Sequence, residues 1–373
     1  MKLAGWKKRI RLDIDYTNKI GGSVTQFPVT IFLKPTNGDT WKVFNEVGNN
    51  YRKIAITKAD GVTELKVEME LWDVANKVGI LHTSLANWVI GGDTSIYLYY
   101  DGSHYDNPNV GNIASTAGQA VWDSNFKMVQ HLIDYDTSHT KDSTSNNNDG
   151  TKKAANEPIQ ADGKIAKAQS FDGSNDYIAV SDNSSLDITD TITIEAWVKP
   201  TSSSDFGQIV AKRDGSKTIC NYAMYRYFNN RKLGFYFYNS GWNIYTTSSD
   251  ELTLNAWNYA TIVHKFGDAN STKAYVNGVQ KTGSWSHGNG GLAAITNNAS
   301  FPIGGLTDQT AIFTGLIDEV RISNTCRSAA WIKASYNSLN DTLIKYLKEE
   351  TLFSRRGIFY VPINTSNFFH FFR

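Results

Sequence analysis

Two kinds of side chain in this sequence carry chemistry by type and spacing: acids set at turns or on apolar strand faces, and aromatic rings set in polar loops. Asp172 and Gly173 form a corner, with Asn175 and Asp176 close behind. Such a corner gathers oxygens, and calcium takes about six to eight of them from carboxylates, amides and carbonyls. The glycine lets the backbone fold so that a carbonyl also turns inward. Asp318 lies in the run GLIDEV, where simple alternation puts it on one face with Leu316 and Val320. A carboxylate on an apolar face needs a cation or backbone N–H groups. The plainer alternative is that Asp172 caps its own turn and Asp318 accepts N–H groups from a neighbouring loop. The NNND run at 146–149 offers further oxygens but reads as a solvated turn.

The second kind is represented by Trp242, Tyr245, Trp285 and His287, within NSGWNIY and GSWSHGNGG. A Trp at a loop or strand end suits stacking on a ligand such as a sugar ring. The competing reading is that these rings lid a core, where Trp is usually largely buried. A third pattern, VEMELWD, sets Glu68 and Glu70 on one strand face with Asp73 opposite. Side chains two apart on a strand lie about 6–7 Å apart, compatible with the acid/base pair of a glycoside hydrolase. The later strands, from Ala166 on, offer only Glu195 in TIEAW and Glu319, with no paired carboxylates. No Ser-His-Asp order, phosphate loop or zinc spacing appears, and no catalytic residue is assigned. His82, His131 and His264 are isolated along the chain and are expected to be structural or exposed.

The elements that must hold these residues are strands. Aromatic residues make up 13% of the 373-residue chain, and Gly, Asn, Asp and Ser clusters break the β-branched runs. This texture reads as all-β, and the length predicts more than one domain. Basic and acidic residues balance, 37 against 36, which excludes a nucleic-acid footprint of clustered Lys and Arg. Cys220 and Cys326 alone define no disulfide framework. No apolar run approaches the roughly 18 residues of a membrane span. The opening MKLAGWKKRIRLDIDY lacks the apolar segment of a signal peptide.

From Lys8 to Tyr16 apolar and polar residues alternate, with Ile10, Leu12, Ile14 and Tyr16 on one face. FPVTIFL, YRKIAIT, TELKVEMELWD and TSIYLYY follow as strands, and a boundary falls at about residue 124. A polar stretch rich in Asn, Ser and Asp comes next. Strands then resume from Ala166 to Ser323, with Asn277-Gly278 as a type I′ hairpin turn. SAAWIKASYNSL is the one convincing helix, capped by Ser328, with Trp331, Ala334 and Tyr336 on its apolar side. The end of the chain carries Phe368, Phe369, Phe371 and Phe372 around His370. Such residues avoid water, so they pack on the protein's own surface or dock into a partner subunit.

The ordered landmarks FDGSNDYIAV, ITIEAWVKP, WNYATIVHKF, KAYVNGVQ and GLIDEVRISNTCRSAAWIKASYNS resemble the laminin-G-like, concanavalin A-like jelly-roll family over about Gln130 to Ser338. FPVTIFL, RKIAITKADGVTELKVEMELWD, DTSIYLYYDG and VWDSNFKMVQHL resemble a bacterial and viral domain of unknown function that often precedes such a module. The resemblance implies two tandem β-sandwiches, residues 1–124 and then a jelly roll over 125–340; the tail over 341–373 matches neither family and is expected to dock or tether. It also implies binding of glycans or proteins, and a rim calcium whose typical ligands fall on Asp172 and Asp318, with Asp176 nearby. The expected function is non-catalytic recognition at a virion, extracellular or cell surface. A purely structural interaction module and a glycoside hydrolase are the alternatives.

Overall fold

The structure, a computed structural model, describes residues 1–204, 206–213 and 220–352. Lys8–Ile14 forms a strand with Ile10, Leu12 and Ile14 buried, as alternation predicts, while Tyr16 instead begins a short helix. This strand pairs with Thr94–Tyr100 on one side, and Ile54–Thr57 follows beyond it. On its other side lies Ile344–Thr351, with Ile14 opposite Ile344 and Lys8 opposite Thr351. The segment read as the start of a tail is therefore the edge strand of the N-terminal sheet. It was hard to see in sequence because IKYLKEET lies half-exposed at an edge and alternates only weakly. The four phenylalanines near the C-terminus lie outside the described residues.

The second sheet of this domain runs Val29–Leu33, Val78–Ser84, Lys66–Asp73, Val110–Asn112. Val29, Ile31, Leu33, Val67, Met69 and Leu81 meet Ile10, Leu12, Ile96 and Leu98 in one core. The opposite face carries Thr30, Phe32, Glu68, Ile80 and His82, and all of these are buried too. A lone sandwich would leave that face in water. Here the next domain covers it.

That domain is a jelly roll. One layer orders Phe126–Asp134, Thr314–Ser323, Thr191–Pro200, Asn258–Lys265 and Lys273–Val276. The other orders Ile178–Val180, Phe301–Ile303, Gly207–Arg213, Cys220–Arg226, Leu233–Tyr238, Trp242–Thr247 and Gly283–His287. Ile192, Ile194, Ala196, Val198 and Ile262 from the first layer pack on Tyr222, Met224, Phe235 and Phe237 from the second. Asn277 and Gly278, both at positive φ, make the expected hairpin turn.

The first layer's outer positions bind the domains together. Trp197 and Tyr259 form one apolar cluster with Phe32 and Ile80 of the N-terminal sheet and with Ile165 and Leu339. The Ala329–Leu339 helix, capped by Ser328 Oγ accepting from the Trp331 N–H at 3.2 Å, wedges beside them. Its Trp331 and Ala334 enter the N-terminal core, and Tyr336 packs at 5.7 Å from Trp197. Among the described residues, no helix is long and apolar enough to cross a membrane.

Candidate functional site

The jelly roll's other outer face carries a cleft of about 290 Å³ lined by Phe206, Arg213, Tyr225, Tyr227, Phe228, Tyr236, Trp242 and Ile244. Period-two geometry builds it. In Cys220–Arg226, Tyr222 and Met224 go to the core while Ala223 and Tyr225 face outward. In Leu233–Tyr238, Leu233, Phe235 and Phe237 go inward, and Tyr236 and Tyr238 outward. Aromatic residues stand on both faces of these strands, and one sandwich interior can use only one face.

The rings are ordered by contact. Trp242 meets Tyr236 and Tyr238 edge-on at 5.5 and 5.2 Å. Phe206 stacks on Tyr225 at 4.6 Å, 16° from parallel. The Arg213 guanidinium lies 5.5 Å from the Trp242 ring centre and 5.6 Å from that of Tyr236, and its Nη1 donates to Tyr236 Oη at 3.0 Å. Tyr236 Oη in turn donates to buried Gln208 Oε1 at 2.6 Å. Burial raises the Tyr236 and Tyr225 phenols above their ordinary range, so both stay neutral donors. Gly234 is required opposite Tyr225, because a Cβ there would lie 2.3 Å from the Tyr225 ring. The result is an apolar cleft with a few convergent polar groups, the usual build of a small-molecule site.

Of the four residues expected at a ligand site, Trp242 lines this cleft. Tyr245 sits at odd spacing from Trp242 on the same strand, so it turns to the core, where it is 6% exposed and meets Trp285 at 5.5 Å. Trp285 packs on the same core beside His264, Phe235 and Phe237. These two rings lid the sandwich, and His287 stays exposed at the end of its strand. Arg213, Tyr225 and Tyr236 were missed. The available signal was the doubly aromatic alternation in YAMYRYF and GFYFYN.

The acids divide. Asp176 Oδ2 accepts the Asp172 N–H at 3.0 Å, and Asp172 Oδ1 accepts from the Ser174 N–H at 2.8 Å, so these two share the expected corner. Asn175 Oδ1 and Asp176 Oδ1 are buried there without a hydrogen-bond donor. Asp318 is elsewhere: Asp172 pairs opposite Thr314, which leaves Asp318 four residues along, roughly 13 Å at strand rise. It does not share Val320's apolar face either. Glu319 adopts φ 54°, and the ladder to Thr191–Pro200 slips by one residue at this point. This bulge resets the alternation, so Ile317, Val320 and Ile322 reach the core while Asp318, Glu319 and Arg321 lie outside it. Asp318 Oδ2 accepts the Ile165 N–H at 2.9 Å, and burial lifts its carboxyl well above the ordinary range.

The histidines are not isolated in space. His82 and His131 stack at 4.9 Å, 16° from parallel, between the two domains. His82 Nε2 lies 2.7 Å from Glu70 Oε2, and His131 bridges Glu68 and Glu319. Burial opposes charge on His131, but Glu319 and Glu70 outweigh it and raise its pKa well above the usual value. Burial pushes Glu70 up to about 8 and His82 well down. Glu68 and Glu70, the sequence's carboxylate pair, are thus enclosed between domains. His264 is buried and hydrogen-bonded to Thr272 Oγ1 at 2.8 Å.

Residues 172–333 match the family model of the concanavalin A-like lectin/glucanases superfamily. The jelly roll is concanavalin A-like. Among solved structures, the binding domain of Paraclostridial Mosquitocidal Protein 1 is 17% identical with a TM-score of 0.45, covering 57% of this chain and 52% of that one. Domain 4 of AbnA, a GH43 extracellular arabinanase from Geobacillus stearothermophilus solved with arabinotriose, is 23% identical with a TM-score of 0.41, covering 57% and 98%. The botulinum neurotoxin serotype D ligand-binding domain with N-acetylneuraminic acid is 14% identical with a TM-score of 0.42, covering 57% and 50%. This chain spans about half the length of the two toxin domains. No curated protein matches.

Proposed function

We propose that the protein is a non-catalytic surface recognition module whose concanavalin A-like domain binds a glycan in the Trp242–Tyr236–Tyr225 cleft. The observation that carries this reading is the cleft itself: apolar rings on an outer sheet face, edged by Arg213 and buried hydroxyls. The apolar face of a sugar ring stacks on such rings while its hydroxyls meet the polar edge. The opposite face is committed to the N-terminal domain, which leaves this one to meet a partner at a virion or cell surface. A glycan array, followed by titration of the best ligand, tests it. Trp242→Ala is expected to weaken binding at least about tenfold, the loss typical of a central aromatic anchor, in a chain that still folds cooperatively. Equal binding by wild type and variant, or no glycan retained at all, overturns the reading.

Calcium expected of the family resemblance fits the Asp172–Asp176 corner better than a site including Asp318. Its support is the pair of donor-less buried oxygens on Asn175 and Asp176. Asp176→Asn is expected to abolish a calcium-dependent rise in melting temperature, and Asp318→Asn to leave that rise intact. The reverse pattern would return the ion to Asp318, and a wild type indifferent to calcium would remove it altogether.

A further inference from the structure

The interior between the two domains holds a constellation that the glycan reading does not use. Glu70, His82, His131 and Glu319 each present one ligand atom, and the four atoms lie within 4.8 Å of one another. Glu70 and His82 come from adjacent strands of the N-terminal sheet, and His131 and Glu319 from adjacent strands of the jelly roll. Beyond the short contacts, Glu70 Oε2 lies 3.5 Å from His131 Nδ1. The ligands of a tetrahedral zinc ion stand about 3.3 Å from each other, given bonds of about 2.0–2.1 Å. The four atoms therefore need only small shifts to surround one ion.

We infer that Glu70, His82, His131 and Glu319 form a closed structural site for a first-row divalent metal of the zinc class, which ties the N-terminal sandwich to the jelly roll.

The outer partners match what such ligands require. Each metal-binding imidazole needs its second nitrogen held by an oxygen. His82 Nδ1 lies 3.1 Å from Thr30 Oγ1, and His131 Nε2 lies 3.3 Å from Glu68 Oε2. Glu68 Oε2 is itself fixed by the Trp122 indole N–H at 2.8 Å. Glu319 Oε2 accepts from Arg321 Nη2 at 2.6 Å and Nε at 3.1 Å, which leaves Oε1 for the ion. A second sign is that Glu70 Oε1, fully buried, has no hydrogen-bond partner. Arg321 pairs with Glu319, and a divalent cation adds the positive charge that buried Glu68, Glu70 and Glu319 call for while both imidazoles stay neutral. Two imidazoles with two carboxylates select zinc, cobalt or manganese over calcium, which prefers oxygen alone. Four protein ligands without solvent access make the site structural rather than catalytic.

The test uses the full chain, because a buried site loads during folding. Chain unfolded in denaturant and chelator is refolded with zinc, with cobalt(II), or with neither. Expected are one metal equivalent per chain, visible cobalt bands of tetrahedral intensity, and a melting temperature about 5–10 °C above the metal-free sample. The paired change His82→Gln with His131→Gln should remove the bands. Should that variant fail to fold, Glu68→Gln, which touches only the outer partner of His131, should weaken metal retention at least tenfold in a folded chain. Wild type that refolds with less than about a tenth of an equivalent of either metal, and melts alike in all three samples, overturns the site. This test is independent of the glycan reading, because Trp242→Ala should bind metal normally.

Discussion

Trp197→Ala is expected to destabilise the protein by about 3–5 kcal/mol, the range for a fully buried Trp truncated to Ala. Trp197 is 1% exposed and lies on the outer side of its strand, not in the jelly-roll core. Its ring meets Tyr259 at 5.1 Å and Tyr336 at 5.7 Å, with the Lys164 ammonium 5.0 Å from its centre. Across the interface it shares a cluster with Phe32 and Ile80 of the N-terminal sheet. The loss should therefore fall on the coupling between domains. Equilibrium denaturation should show one transition in wild type and two in the variant. A single transition shifted by less than about 1 kcal/mol would mean that the domains are held chiefly by the polar interior.

The second large effect concerns the last strand. A chain ending at residue 343 should lose about 3–5 kcal/mol of N-terminal domain stability relative to one ending at residue 352. The segment between supplies a full ladder to Lys8–Ile14 and several side-chain anchors. Tyr346 Oη accepts the Phe32 N–H at 2.9 Å and donates to Asp341 at 3.1 Å. Glu349 accepts from Tyr100 Oη, and Glu350 from Arg9 Nε at 2.8 Å. Without the strand, Lys8–Ile14 becomes an open edge. Its exchange-protected amides should then exchange fast, and the shorter chain should aggregate sooner. Equal melting curves for the two chains would show that the sheet holds without its edge.

Much of the fold was legible because its signals are local. Lys8–Ile14, Thr94–Tyr100 and Thr191–Pro200 announce themselves by β-branched alternation, Asn277-Gly278 by the backbone geometry that only such pairs adopt readily, and the helix by Ser328 and its apolar spacing. The all-β class follows from those signals together, and the jelly roll from the resemblance that the ordered landmarks carry. Trp242 was legible only as one of four candidates, because its sequence context does not separate it from Trp285, which lids the core.

Other features depend on contacts between distant parts of the chain. Glu319's left-handed backbone shifts the alternation of its strand by one, and nothing in GLIDEVRIS marks that residue as the bulge. The shift takes Val320 off the face of Asp318 and turns Glu319 toward His131, while the register of the strand pair keeps Asp318 four residues from the Asp172 corner. His82 and His131 look solitary because they stand on strands of different domains, and only docking stacks their rings. The same docking buries Glu68 and Glu70, an exposed-looking pair in sequence. Local residue chemistry determined the strands, turns and cap of this protein. The tertiary structure decided which outer faces are covered, because burial of a polar face requires partners that only the other domain supplies.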